Sequence, residues 1–319
     1  MRTALSAIAI GTSLACACHL ASAQTVTVTQ EGYGNTSLAE QVGATTSIPN
    51  LTLGATATIT QVGYSNHVGG PGASSSGIFQ RNNREGGALA VVDQNGSGNN
   101  ASITQDGTVS FSGAVTGSIT QRGALNDATI RQLIATTSIA TVEQNGIANL
   151  ARLEQLGSGD TRIQATQNGI ANRLAVRQID SGLAGPHITQ NGDGNTVSVL
   201  LDNMGGAGTN IVQTGLLNSA STVQTDGIAS TITITQLGWG NRAEARQTGD
   251  DHVATINQDG INNFASVTQN RPLDSGLGNT ALIAQLGYSN SATVRQYGLG
   301  YVANVNQAGS ANWTSIYQH

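Results

Sequence analysis

Histidines, cysteines and grouped carboxylates are the residues that most often carry chemistry, and here none of them falls into a working pattern. His67, His187, His252 and His319 are scattered without metal-ligand spacing. Cys16 and Cys18 both lie in an apolar N-terminal stretch. No Gly-x-Ser-x-Gly occurs, and pairs such as Gly238-Trp239-Gly240 never extend to a third glycine at the phosphate-binding spacing. Glu40, Glu143, Glu154 and Glu244 would suit a polysaccharide-cleaving face, but Arg131, Arg177, Arg246 and Arg295 share their column. Mixed charge of that kind reads as a solvated face that resists aggregation. Threonine runs such as Thr25-Val-Thr27-Val-Thr29 could order water on a flat array, yet Asp93, Glu143 and Asn257 interrupt them. The sequence therefore points to no enzyme, and no cofactor or metal is expected.

The residue types that do recur at fixed spacing are carboxamides, whose chemistry is to donate and accept hydrogen bonds at once. Gln, Gly at +2, Asn at +5 and Gln at +11 repeat along the chain. Ten copies are complete. Their amides are Gln30, Asn35 and Gln41; Gln94, Asn99 and Gln105; Gln121, Asn126 and Gln132; Gln144, Asn149 and Gln155; Gln167, Asn172 and Gln178; Gln213, Asn218 and Gln224; Gln236, Asn241 and Gln247; Gln258, Asn263 and Gln269; Gln285, Asn290 and Gln296; and Gln307, Asn312 and Gln318. Their turn glycines are Gly32, Gly96, Gly123, Gly146, Gly169, Gly215, Gly238, Gly260, Gly287 and Gly309. Two partial copies bring the total to twelve: Gln61-Gly63-Asn66 has Gly72 where the second Gln belongs, and Gln190-Gly192-Asn195 has Leu201.

Copies start every 23 residues from Gln121 to Gln236 and every 22 to 33 elsewhere, which is one supersecondary unit repeated. Apolar and polar residues alternate on both sides of the Gly and Asn, so each copy reads as two short strands joined by a tight turn. Two positions before the first Gln stand Val28, Ile59, Val92, Ile119 and Val142, and the same column continues to Val305 with only Ala165 breaking its β-branched character. A unit of about 23 residues cannot offset an ordering entropy of roughly 1 to 2 kcal/mol per residue with a few buried Val, Ile and Ala side chains. Units must therefore stack. Stacking in register places each buried carboxamide beside an identical group at the same height, which satisfies its donor and its acceptor together. The fold expected is all-β: a β-solenoid of about twelve strand-turn-strand rungs over residues 24–319. Insertions near 42–55, 67–87, 106–114, 133–137 and 270–278 are expected between repeats. Pro186 and Leu201 mark one unit as the weakest rung.

Composition sets the surroundings. Met1-Arg2, the apolar run from Ala4 to Ala17 and Ala21-Ser22-Ala23 read as a signal peptide over residues 1–23, cleaved before Gln24. The remainder then has no thiol, so a disulfide is not expected. Twelve arginines against 18 acids leave it acidic, which argues against a nucleic-acid partner. No later stretch is apolar enough to insert in a membrane as a helix. Aromatics are only 3% of the chain and Gly is 41 of its 319 residues, too few large side chains for an ordinary globular core.

The motif Gln144-Asn-Gly-Ile-Ala-Asn149-Leu-Ala151-Arg-Leu-Glu-Gln155 resembles the curlin repeat of curli fibre subunits. The resemblance covers nearly all of residues 24–319. It implies secretion from a Gram-negative cell, a curli-type export machinery, a nucleator subunit as partner, and homopolymerisation into extracellular cell-surface amyloid fibres of the biofilm matrix. Two features depart from the family pattern. Thr25 opens a strand at once, with no Gly- and Asn-rich targeting segment, and the Ser that often precedes the first Gln by six residues appears only at Ser138 and Ser230. An acidic chain with a complete last unit favours the major fibre subunit over the minor nucleator. A monomeric β-solenoid adhesin with capped ends is the alternative with the same fold.

Overall fold

The structure is a computed structural model, and it describes residues 25–42, 55–69, 77–81, 87–107, 115–183, 185–271 and 277–319. The expected signal peptide, and most of the expected insertions, lie outside these residues. Among the described residues the regular structure is strand, arranged in two compact units divided after Ala148.

The first unit holds β1 (Thr25–Tyr33), β2 (Thr36–Ser37), β3 (Ala39–Val42), β4 (Ala55–Tyr64), β5 (His67–Val68), β6 (Ile78–Arg81), β7 (Ala88–Ser97), β8 (Asn100–Asp106), β9 (Val115–Ala124), β10 (Asp127–Leu133) and β11 (Ile139–Ile147). The second holds β12 (Leu150–Leu156), β13 (Arg162–Ile170), β14 (Arg173–Ile179), β15 (Gly185–Asp193), β16 (Thr196–Gly205), β17 (Gly208–Leu216), β18 (Ser219–Ile228) and β19 (Thr231–Trp239). It continues through β20 (Arg242–Thr248), β21 (Val253–Ile261), β22 (Phe264–Asn270), β23 (Thr280–Tyr288), β24 (Ser291–Tyr297), β25 (Val302–Ser310) and β26 (Trp313–Gln318).

Each unit is a β-solenoid. Strands that begin a repeat pair only with strands that begin a repeat, in the orders β1-β4-β7-β9-β11 and β13-β15-β17-β19-β21-β23-β25. Strands that end a repeat do the same, as β12-β14-β16-β18-β20-β22-β24-β26 in the second unit. All pairs are parallel and in register, so that Gln213 lies beside Gln236 and Gly215 beside Gly238. Inward and outward side chains alternate along the strands of the stack, as in β13 and β14, in keeping with β-strand geometry. Ile188, Ile211, Ile234, Ile256 and Ile283 are fully buried between the two sheets, and the interior is thin because Ala254, Ala265, Ala281 and Ala292 sit beside them. In the rung that begins with β1, the equivalent Val28 is only partly covered.

Two expectations about the repeats need correction. Within the expected insertion 67–87, His67–Val68 and Ile78–Arg81 belong to the repeat, because β5 and β6 together supply the second strand of the unit that begins at Gln61. The missing second glutamine is therefore not Gly72's vacancy: Gln80 lies in register between Gln41 and Gln105. At the proline, pairing of β13 with β15 starts only at Gln164 with His187, since Pro186 has no N–H to give the ladder.

Candidate functional site

The repeated amides meet in the interior. In the first unit Gln30 Nε2 donates to Gln61 Oε1 at 2.6 Å, Gln61 to Gln94 at 2.9 Å, Gln94 to Gln121 at 2.8 Å and Gln121 to Gln144 at 2.9 Å. In the second unit the series runs from Gln167 through Gln190, Gln213, Gln236, Gln258 and Gln285 to Gln307, with every step between 2.7 and 3.0 Å. Each Nε2 has a second proton, which in the first rung reaches the Ser37 hydroxyl and in later rungs crosses the interior to a backbone carbonyl of the facing sheet, as from Gln236 to Ser219 at 3.0 Å. Both protons of the amide are thus used, and the side chain ties rung to rung and sheet to sheet at once. Removing water from such a group costs little only because every donor and acceptor is answered.

The second glutamine of each repeat makes a parallel series on the other sheet. Gln41, Gln80, Gln105 and Gln132 are linked at 2.7 to 2.9 Å, and Gln155 donates to Gln178 at 3.0 Å. Gln224, Gln247, Gln269, Gln296 and Gln318 continue it at 2.8 to 2.9 Å. Between Gln178 and Gln224 the series is interrupted by Leu201, which is fully buried. The lost donor is replaced locally: the Thr209 hydroxyl donates to Gln224 Oε1 at 2.7 Å.

The asparagines build the first corner of the rung. Asn218 accepts on Oδ1 from the backbone N–H of Asn241 at 3.0 Å, its own N–H donates to Asn195 Oδ1 at 3.0 Å, and its Nδ2 donates to the Gly238 carbonyl at 3.0 Å. The glycines make that carbonyl reachable. Gly215 has φ +117°, and a Cβ there would run into the carbonyl oxygen of Gly238. The residue just before the asparagine is also left-handed, although it is glycine in only some repeats: Ala148, Ala171, Leu217 and Ala311 have φ between 54° and 57°.

At the second corner, where the second strand turns into the next repeat, the column six residues before each first Gln is chemically mixed. Ser230 Oγ accepts from His252 N–H at 3.1 Å, His252 Nδ1 accepts from Asn279 N–H at 3.0 Å, and Asn279 Oδ1 accepts from Tyr301 N–H at 2.9 Å. Ser, His and Asn therefore take one role, accepting the backbone N–H of the next rung. His252 Nε2 donates to the Thr248 carbonyl at 3.0 Å. Burial, reinforced by the nearby Arg271 cation, holds this imidazole below its ordinary 6.5, while the Thr248 carbonyl, Asp250 and Asp251 pull the other way. Arg271 is itself buried and pairs with Asp250 at 2.6 Å. Sequence reasoning marked only Ser138 and Ser230 in this column and missed His252 and Asn279, as it missed Gln80 and Thr209, because the shared signal is an acceptor atom and not a residue type.

The interior thus combines amides, small apolar side chains and backbone. The outward carboxylates Glu143, Glu154 and Glu244 each lie against an arginine: Arg122 at 3.2 Å, Arg177 at 3.1 Å and Arg242. Among the described residues no group of three or more His, Cys, Asp or Glu side chains is placed to hold a metal ion, and no helix is long and apolar enough to cross a membrane. The class this defines is a parallel β-solenoid held by internal amide ladders. The family model for the curlin associated repeat matches residues 240–270, so the chain carries a curlin repeat there. That segment runs from the Asn241 corner through β22. No curated protein matches the chain.

Proposed function

We propose that the chain is the structural subunit of an extracellular, curli-like amyloid fibre, and that it performs no catalysis. The observation that supports this most strongly is the in-register parallel stacking of identical glutamines, each hydrogen-bonded to its counterpart above and below. This is the bonding pattern of cross-β fibres, repeated inside one chain. Residue types needed for stacking within a molecule are the same ones needed for stacking between molecules.

The edges support the same reading. Among the described residues no strand pairs with β1 on the side away from β4, nor with β25 and β26 on the side away from β23 and β24. Val26 is 44% exposed there, whereas its counterpart Ala57 is fully buried one rung inward. Soluble proteins normally block such edges with charge, proline or a covering segment. Here neither β1 from Thr25 to Gln30 nor β26 carries a charged side chain. Growth would add the β25 and β26 edges of one copy to the β1 and β2–β3 edges of the next, each within its own sheet, a head-to-tail contact that does not close on itself. In this reading residues 1–23 direct secretion from a Gram-negative cell, a separate nucleator starts growth, and the fibres serve adhesion and biofilm cohesion.

The test is fibre formation by purified residues 24–319. The proposal expects thioflavin-positive fibres with a reflection at about 4.7 Å along the fibre axis. A dispersed, thioflavin-negative β-rich monomer that persists for days would overturn it and leave a monomeric adhesin.

A further inference from the structure

The outward face of the second sheet in the second unit differs from the rest of the surface. The chain as a whole is acidic, with a net charge of −5. On β20, β22, β24 and β26, however, the outward positions carry Arg242, Arg246 and Arg295 against one acid, Glu244, and that acid is already held by Arg242. Arg246 and Arg295 share one column two strands apart, about 9 to 10 Å at the usual strand spacing. Aromatics concentrate on the same face, although they make up only 3% of the sequence. Trp313 is 74% exposed, Tyr317 58% and Tyr297 38%, and Phe264 lies beneath the Arg242 guanidinium at 5.8 Å. The Tyr297 and Tyr317 rings are 5.7 Å apart and tilted by 46°. On the other sheet the outward positions of β19, β21, β23 and β25 hold Thr, Asn, Ala, Val and Leu, with no arginine and one acid, Asp259 beside the turn glycine.

We propose that this face binds an acidic polysaccharide, a uronate-containing glycan, with aromatic rings against the apolar faces of the sugars and arginines on the carboxylates. Large flat side chains that remain in water are the natural partners of pyranose C–H faces, since they offer area at low entropic cost. The guanidinium is the side chain best suited to fork onto a carboxylate. Charge density selects among polyanions. A DNA duplex carries one charge per about 1.7 Å, while this face offers cations only every second strand, on a chain that is acidic elsewhere. A glycan with carboxylates set apart along its length matches that sparse array. Stacking of further rungs would cover strand edges and leave this face open, so the site is independent of fibre growth.

The experiment uses the full secreted chain immobilised through its N-terminus, so that failure to polymerise has no bearing on the outcome. The probes are polygalacturonate, its methyl ester, a neutral glucan and single-stranded DNA. Polygalacturonate should bind, and esterification should weaken it about fivefold or more, as should Arg246→Gln or Arg295→Gln. Trp313→Ala should weaken the acid and the ester alike. Arg162→Gln, on the outer face of the other sheet, should change nothing. Equal binding of acid and ester, tighter binding of DNA than of polygalacturonate, or an equal loss from Arg162→Gln would each overturn the proposal. If Trp313→Ala does not fold, the two exposed arginine variants decide alone.

Discussion

The two corners of the rung solve one problem in different ways. At each, a backbone that leaves one strand must satisfy its N–H groups before the next strand begins. The first corner uses one device repeatedly: an asparagine accepts from the backbone N–H of the next rung's asparagine and donates to that rung's glycine carbonyl, as Asn218 does with Asn241 and Gly238, while its own N–H donates back to Asn195. The second corner meets the same two needs with different side chains: Ser230, His252 and Asn279 each accept the next rung's N–H and donate to a carbonyl, that of Gly249, Thr248 and Gly298 respectively. The difference shows what fixes a repeat. Where the carbonyl to be reached is always that of the next rung's turn glycine, one residue type recurs, whereas at the second corner the carbonyl varies between Gly249, Thr248 and Gly298 and the side chain that reaches it varies too. It also explains why insertions collect after the second strand and spare the Gly-Asn turn.

The largest test of this contrast is a pair of glycines. Gly215→Ala should cost about 4 kcal/mol, because its Cβ meets the Gly238 carbonyl and its φ of +117° is strained for alanine. Gly182→Ala at the second corner should cost under about 1 kcal/mol, since the nearest atom is the Gly159 carbonyl oxygen at 3.6 Å. Urea midpoints of the folded chain would measure both, and similar losses would erase the distinction between corners. Next in size, Asn218→Leu should cost about 3 kcal/mol by placing a bulky apolar side chain where the Asn241 N–H and the Gly238 carbonyl lose their partner, while Ser230→Ala, which removes one small hydroxyl from the His252 N–H and the Gly249 carbonyl, should cost about 1 to 2 kcal/mol.

Smaller effects should run in the stabilising direction. The Thr222 hydroxyl is buried without a hydrogen-bond partner in a column otherwise filled by Val, Leu, Ile and Ala, so Thr222→Val should gain about 1 kcal/mol. His252 adds a pH dependence that the first corner lacks. Its native form is the neutral one, because Nδ1 must accept from Asn279 and burial disfavours the cation. The unfolded chain binds a proton near 6.5 and the folded chain only below that, so this corner's contribution is full above 6.5 and falls as the pH drops through it. His252→Asn should flatten the urea midpoint between pH 7.5 and pH 5, and a variant that retains the full dependence would place its origin elsewhere.

The inward columns and the Gln-Gly-Asn-Gln spacing were legible in the sequence because identical side chains must meet identical side chains, and that leaves a strict period. Gln80 was not legible, since the insertion between Val68 and Ile78 breaks the spacing while the ladder closes over it in space. The compensation of Leu201 by Thr209 was hidden for a related reason: a hydroxyl 15 residues before Gln224 does the work of an amide from the neighbouring rung. Leu201 and Pro186 suggested a weak rung, and the structure shows where the interruption falls, in the shortened pairing of β13 with β15 and the break in the second glutamine series.

Growth through the strand edges is the claim on which the fibre reading depends, and seeded elongation tests it. Val197 is buried in the middle of a continuous ladder, paired with Leu174 on one side and Ala220 on the other. Ile316 lies on β26, paired only with Val294 among the described residues. Proline removes a ladder N–H at either place. Fibres of the natural sequence should recruit Val197→Pro monomer far better than Ile316→Pro monomer, because only the second change spoils the growing edge. Equal recruitment, or the reverse order, would contradict assembly through the edges of the first and last rungs.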